Sequence, residues 1–412
     1  MAEEKRGIVC EQPDLSEAIH KIVKGLISQT TLYEYNRSKQ YYSPFNQNKE
    51  IGEDDITNEY ISQLPEEIRP ELTSNLMKKD TSGNSYEILL MTYQMYLKEK
   101  NPTKRKMLYG SFRQGLDILD LDCILYEMLG MNPASMGHWL CKMSRPIEEE
   151  GFFKIPNTKI IKVPMTLLQL TRLEYMNHTR TTLDIVDEYC KQVFGLSTDK
   201  EYFVKTGTYS SKYDFRNAKV TGTEVNELGE YLLFIHSQAI RMADYDLTDR
   251  NQPIIYGVST TNEWVAREFI SDKENNPTIY HGLPLHTEYR VFVDFDTDEV
   301  LGIHPYWDPN VMKKHFDGKS DIDSIHDAIT FRAAESKLMK RYNEHKEEVV
   351  THIEKLLPDV KMNGQWSIDI MQNGEEFWFI DMAPAESSAF YKETVPPTLR
   401  KHMEENWLPK IE

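Results

Sequence analysis

Two aspartates set inside apolar sequence impose the strongest condition on how this chain can fold. Residues 366–384 read Trp-Ser-Ile-Asp-Ile-Met-Gln-Asn-Gly-Glu-Glu-Phe-Trp-Phe-Ile-Asp-Met-Ala-Pro. Asp369 and Asp381 therefore lie in strand-like runs on either side of Asn373-Gly374, a strong hairpin signal. A carboxylate among apolar neighbours is costly unless a partner compensates it. Either each acid pairs separately with an Arg or Lys, or the hairpin joins them as a hard-cation site. Mg²⁺ takes one or two carboxylates plus substrate phosphates. Strand geometry restricts the second choice. A strict two-residue Asn-Gly turn pairs Asp369 with Trp378 and sends Asp381 to the opposite face. A shared site needs one extra residue, so the expectation is a bulge or longer loop between Gln372 and Trp378.

With 412 residues, the chain has length for two or three domains and a large core. Its net charge of −18 argues against a nonspecific nucleic-acid or anionic-membrane surface and makes local basic positions more informative. Cys10, Cys123, Cys141 and Cys190 lie far apart, without C-x-x-C, and read as reduced thiols; the histidines show no zinc spacing. Met1–Arg6 lacks an apolar signal core, and no run approaches the roughly 18 apolar residues of a membrane span. The expected location is the cytoplasm.

Residues 1–150 read as a mostly helical region for partner or substrate selection. Leu15, Ala18, Ile19, Ile22, Val23 and Leu26 follow a 3.6-residue period after Asp14. Residues 31–55, rich in Tyr, Asn and Gln, read as an irregular connection. Helices are expected over 64–77, 86–97 and 116–129. Residues 151–200 form a linking segment with a short strand over 159–163 and helices over 165–176 and 182–194. From 201 to 412 strands predominate: 202–204, 264–270, 287–295, 299–304, 366–371 and 376–382. Helices are expected after Thr223, over 327–357 and near 398–406.

Three further stretches carry chemistry. Tyr202, Phe203 and Val204 form a short strand that delivers Lys205 to a loop of Thr206, Gly207, Thr208, Ser210 and Ser211, which ends at a second lysine, Lys212. Small residues let backbone N–H groups approach an anion, and the lysines add point charges, which suits a polyphosphate. A polar surface hairpin with two solvated lysines fits the same residues. Neither G-x-x-x-x-G-K-[ST] nor G-x-G-x-x-G occurs here. The apolar strand Trp264–Ile270 carries Arg267 and Glu268, and its end can offer backbone groups to an adenine edge. In Glu288-Tyr289-Arg290-Val-Phe-Val, alternation puts Glu288 and Arg290 on one face, able to pair with each other or to meet a phosphate. His304, Tyr306, Trp307 and Arg332 are near enough in sequence to line a pocket or to serve structurally.

The order of these motifs resembles the ATP-grasp superfamily. Within it, the chain is similar to a divergent clade that includes a eukaryotic cell-division-cycle factor assisting assembly of the trimeric translation initiation factor. The resemblance spans about 203–384. It rests on Lys205, Ser210, Ser211 and Lys212, then Val-Ala-Arg267-Glu-Phe-Ile, Glu288-Tyr289-Arg290, the return strand to His304, Asp369, and Asp381-Met-Ala383-Pro384. It implies an α+β fold in which two α+β subdomains clasp ATP, preceded by the helical N-terminal region. It also implies that Lys205 contacts the α-phosphate side and Lys212 covers the β- and γ-phosphates. Glu268, Phe269 and Ile270 would form the adenine hinge, with Glu288, Ser210 and Ser211 also at the nucleotide. Arg267 and Arg290 would face the phosphates or an acyl-phosphate, and Asp369 and Asp381 would hold Mg²⁺. Two positions depart from the family. Ala383 replaces a metal-binding Asn, leaving Glu386 as a further candidate oxygen, and Asp214 sits one position later than the acid that usually follows the second lysine.

The function implied is an ATP-dependent carboxylate–amine (or thiol) ligase working through an acyl-phosphate on a peptide, protein or small metabolite. The alternative is an ATP-binding assembly factor that uses nucleotide as a conformational clamp. Neither reading calls for a nucleic acid or a membrane.

Overall fold

The computed structural model describes residues 16–37, 134–171, 175–248, 261–385 and single positions between and beyond them. The helices expected over 64–77 and 398–406, most of those over 86–97 and 116–129, and Glu386 lie outside the described residues.

The fold is α+β, built on two five-stranded sheets. The first has the order β1-β3-β6-β4-β5, from Thr31–Tyr35 (β1), Thr158–Lys162 (β3), Glu201–Thr206 (β4), Lys219–Thr221 (β5) and Glu263–Glu268 (β6). All its pairings are antiparallel. Phe153–Lys154 (β2) belongs to the second sheet, and Thr278–Ile279 (β7) and Leu283–Pro284 (β8) form a small ribbon. The second sheet has the order β10-β9-β11-β12-β2, with Thr287–Asp294 (β9), Glu299–Pro305 (β10), Gln365–Asn373 (β11) and Glu376–Pro384 (β12). Residues 31–35, expected to be irregular, form β1 instead. In Thr-Leu-Tyr-Glu-Tyr alternate positions are buried, and Tyr33 and Tyr35 enter the core.

One face of the first sheet packs on the helices Ser16–Ile27, Arg180–Phe194 and Leu228–Thr248. This core contains Val186, Cys190, Phe194, Val204, Leu232 and Trp264. Thr179 caps the second helix by accepting the Thr182 N–H, and Gly195 ends it in the left-handed region, as expected from the sequence. The helix expected over 165–176 is shorter, Met165–Leu170. The long helix Ile322–Leu356 begins at Asp321, which caps Ser324, and covers the second sheet with Phe331, Leu338, Tyr342, Val349 and Ile353 buried.

The helix Met136–Glu150 shares one core with both sheets. It buries Trp139, Leu140 and Met143 with Val265 and Ile160 of the first sheet and Phe379 and Ile370 of the second. Trp139 is fully buried, 5.9 Å from the Phe379 ring. Burying side chains of this kind contributes about 1.5–3 kcal/mol each, and the shared core holds the two sheets at a fixed separation.

The β11–β12 hairpin reports on the expected extra residue. Its turn is regular: Asn373 pairs with Glu376 across Gly374-Glu375, and Gly374 supplies the positive φ of 64°. No extra residue lies between Gln372 and Trp378. The irregularity comes later, where Ile370 pairs with Phe379 but Asp369 pairs with Asp381, so Ile380 is the bulged residue. The shift restores both acids to one face. Each acid then pairs separately with a cation, Asp369 with Arg290 and Asp381 with Lys205, which is the first of the two alternatives read from the sequence.

Candidate functional site

Register alone places a row of charge across the second sheet. His304 of β10 lies opposite Arg290 of β9, Arg290 opposite Asp369 of β11, and Asp369 opposite Asp381 of β12. Directly paired residues point to the same face. The neighbouring Tyr289 and Val291 point the other way into the core. The first sheet answers with its own row. Lys162 lies opposite Glu263, and the period of two puts Lys162, Glu263, Lys205 and Arg267 on one face.

Lys205 and Arg267 join the two rows, and Arg290 and Lys212 complete the cationic set. Lys205, 2% exposed, donates to Asp381 Oδ2 at 2.9 Å across the sheets. Arg290 grips Asp369 bidentately, with both N···O distances at 2.7 Å. Lys212 donates to Tyr306 Oη, and both Lys212 and Arg290 lie over the Tyr306 ring. Arg267 is the exception to expectation. It donates to the carbonyls of Ile380 and Phe379 and to Thr158 Oγ1. It thus braces the bulge from the opposite sheet instead of opening toward a phosphate.

Burial and pairing set the charges. Burial would push the Asp381 carboxyl up, but the Lys205 ammonium, with help from Arg267 and the Met382 N–H, holds it below the usual carboxylate range. Burial opposes the Arg290 charge, and Asp369 more than restores it. Burial likewise opposes the Lys212 charge, and Tyr306, Tyr213 and Glu288 outweigh it. For Arg267 burial wins, bringing the guanidinium down to about 10, still charged at neutral pH. His304 is pushed down to about 4 by burial and by Arg290. Its Nδ1 bonds the Pro305 carbonyl, which can only accept, so the neutral ring carries its proton there.

Glu288 is raised to about 7, chiefly by burial, with Asp369 adding to the rise and Lys212, Trp307 and Arg290 opposing it. Trp307 Nε1 donates to it at 3.0 Å. A carboxyl whose folded pKa lies above its unfolded value of 4.5 binds more protons in the native state between those two values. Its contribution is therefore present below about pH 4.5 and is lost as pH rises through 7. Glu288→Gln should remove this downward slope. Denaturant midpoints of parent and variant should diverge between pH 5 and 8, by up to about 1.36 kcal/mol per pH unit. Parallel curves would show that Glu288 ionises as an ordinary surface acid.

The remaining expected residues fall in three places. Ser211 is buried, accepting from Asn217 at 3.5 Å, and Ser210 is half-buried beside it. The loop that holds them is closed locally, with Thr206 and Tyr209 exchanging backbone and side-chain hydrogen bonds. The Glu268 carboxylate accepts from Lys200 at 3.0 Å and Asn157 at 2.6 Å, and the N–H groups of Glu268 and Phe269 bond Asn157 and Glu201 carbonyls. Lys219 lies 4.4 Å over the Phe269 ring. Asp214 pairs with Arg216 at 2.8 Å and faces His281, and Arg332 is exposed on its helix.

Sequence reading missed Glu263 and Lys162. Glu263 is wholly buried, and Lys162 is 2% exposed on the paired strand. Glu263 accepts the Gly137 N–H at 3.0 Å at the start of the helix Met136–Glu150. A Cβ on Gly137 would meet Glu263 Oε1 at 2.4 Å, and one on Gly207 would meet Oε2 at 2.7 Å, so both glycines make room for the acid. Burial raises the Glu263 carboxyl, and Lys162, the Gly137 N–H and Lys205 oppose that rise. The available signal was a charge at each end of an apolar run, in Lys159-Ile-Ile-Lys162 and Glu263-Trp-Val-Ala.

Among the described residues, no group of three or more His, Cys, Asp or Glu side chains could hold a metal ion. The Asp369–Asp381 pair is nevertheless a hard-oxygen donor set of the kind Mg²⁺ uses when substrate phosphates complete its shell. No helix among the described residues is long and apolar enough to cross a membrane.

No family model matches the chain, and no curated protein matches it. Among solved structures it is similar to Cdc123 from Schizosaccharomyces pombe, with 15% identity over 69% of this chain and 96% of that one and a TM-score of 0.36. A C-terminally truncated form of the same protein matches at 15% identity over 61% and 83%, with a TM-score of 0.35. The D-alanine–D-alanine ligase from Bacillus anthracis complexed with ATP matches at 10% identity over 71% and 67%, with a TM-score of 0.25.

Proposed function

We propose that the chain binds Mg²⁺ and ATP between its two sheets and works as an ATP-grasp carboxylate–amine (or thiol) ligase. The observation that carries this reading is that Lys205, Lys212 and Arg290 gather with Asp369, Asp381 and Tyr306 from separate elements of the two sheets. Cations flank a polyphosphate there, and paired acids stand ready for its metal. Adenine lies along Phe269 and Ile270. The Glu268 and Phe269 amides are already engaged, which leaves the Ile270 N–H as hinge donor. Lys205 and Lys212 contact the phosphates, with Ser210 and Ser211 on the covering loop. Asp369 and Asp381 would hold Mg²⁺, with Glu386 as the further candidate oxygen read from the sequence, and the metal would disperse phosphate charge.

Arg290 orients the substrate carboxylate toward the γ-phosphorus. A carboxylate oxygen bonds to that phosphorus as its bond to the bridging β-oxygen breaks and ADP leaves. The amine then bonds to the acyl carbon, and phosphate departs. Enclosure of the cleft by the two sheets keeps water from the acyl-phosphate. Within residues 1–150, β1 and the helices Ser16–Ile27 and Met136–Glu150 build the two-sheet unit itself, and the rest serves acceptor choice; the reaction belongs in the cytoplasm.

A second reading, a nucleotide-clamped assembly factor, draws on one specific observation. The charges of the site already satisfy one another through Lys205–Asp381, Arg290–Asp369 and Lys212–Tyr306. Product analysis separates the two. Purified protein with Mg²⁺, ATP and panels of carboxylates and amines should release ADP and phosphate only when both acceptors are present. AMP and pyrophosphate would remove the ligase reading. Nucleotide binding without turnover, together with one stably co-purifying partner, would favour the clamp.

A further inference from the structure

Two cations from opposite sides of the cleft share one aromatic ring. Lys212 comes from the loop after β4, Arg290 from β9, and they lie 4.4 and 4.6 Å from the centroid of Tyr306. Lys212 also donates to the Tyr306 hydroxyl. The ring is held from its own side: the Tyr306 N–H bonds the Glu288 carbonyl at 3.0 Å, and Trp307 packs edge-on at 5.0 Å while donating to the Glu288 carboxyl. Like charges repel at this separation, and an electron-rich π face offsets that repulsion.

We infer that Tyr306 is a positioning residue for phosphate, holding Lys212 and Arg290 within reach of a single anion, with its hydroxyl standing where a phosphate oxygen will accept from Lys212. The inference rests on the nucleotide reading above. On binding, a phosphate oxygen takes the Lys212 hydrogen bond, because a charged acceptor outcompetes a neutral hydroxyl. The ring keeps both cations aligned throughout, so the phosphate meets them already in place.

The test is a double-mutant cycle read as the dissociation constant for ATP with Mg²⁺ and, separately, for tripolyphosphate, which has the phosphates without adenosine. Tyr306→Phe keeps the ring and removes the oxygen that holds Lys212 in place, and should weaken ATP about tenfold. Tyr306→Leu removes the ring as well and should weaken it about tenfold more. In a Lys212→Ala background, Tyr306→Phe should change affinity less than twofold, because the interaction through which it acts is gone. A purely structural Tyr306 would lower the melting temperature without this coupling. Parent binding with both Tyr306 variants within twofold of it, or fully additive losses, would overturn the inference. Tyr306-dependent tripolyphosphate binding without ATP binding would keep the inference and remove the adenine site. Binding of neither probe would remove both.

Discussion

Lys205→Ala should abolish the stabilisation of this protein by nucleotide. At about 100 times its dissociation constant, ATP with Mg²⁺ should stabilise the parent by about 2.7 kcal/mol, and the variant should gain nothing measurable. The expectation follows from position. Lys205 is buried near the end of β4, and its ammonium, on which the proposed phosphate contact depends, reaches Asp381 on the other sheet. Without ligand the variant should also lose about 1–3 kcal/mol, because a charge-assisted hydrogen bond is removed and Asp381 is left among fewer cations. That loss has a pH signature. A carboxyl held below its unfolded value contributes stability above that value and loses it as pH falls through its folded pKa. Parent and variant should therefore converge in strong acid. Thermal melts of both proteins, with and without nucleotide, from pH 3 to 8 would show it. Equal nucleotide shifts in the two proteins would place the phosphates elsewhere.

Arg267→Leu should be the most damaging single change to stability, costing about 3–5 kcal/mol, the range for breaking a buried charged contact. The side chain is buried between the sheets and supplies donors to the Ile380 and Phe379 carbonyls at the bulge. Removing it leaves buried acceptors unpaired at about 1–3 kcal/mol each. Arg267→Lys should rescue little, since a point charge cannot reproduce a planar fork reaching two carbonyls and a hydroxyl. Chemical denaturation gives the magnitude, and hydrogen exchange at Phe379–Asp381 tests the cause. Stability within 1 kcal/mol of the parent, with unchanged exchange there, would mean that the bulge holds itself.

Much of this arrangement was legible in the residues. Strands β4, β6, β9, β10, β11 and β12 were visible in runs with period-two alternation, and the helix Arg180–Phe194 in its apolar spacing and terminal Gly195. Glu288 and Arg290 share a face because alternation requires it. Asp369 and Asp381 had to find compensation because of where they sit. Strand β1 was hidden because Tyr33 and Tyr35 alternate over only five residues, and its partner β3 is distant in sequence, with Glu34 paired to Lys159. Glu263 and Lys162 were hidden because a charge at the end of an apolar run reads as a strand terminus.

The sequence by itself determined the strands β3, β4, β6 and β9 to β12, which of their faces are apolar, and that two acids and several cations must be satisfied within them. These follow from local periodicity and from the cost of burying charge. Only the tertiary structure decided the pairings. Asp381 faces Asp369 because Ile380 bulges, and that bulge is braced by Arg267, which lies 113 residues earlier on the other sheet. Lys205 meets Asp381 across 176 residues for the same reason. A strand's alternation reaches only its neighbours, whereas the choice of partner across a cleft depends on how two sheets are held together by the helix packed between them.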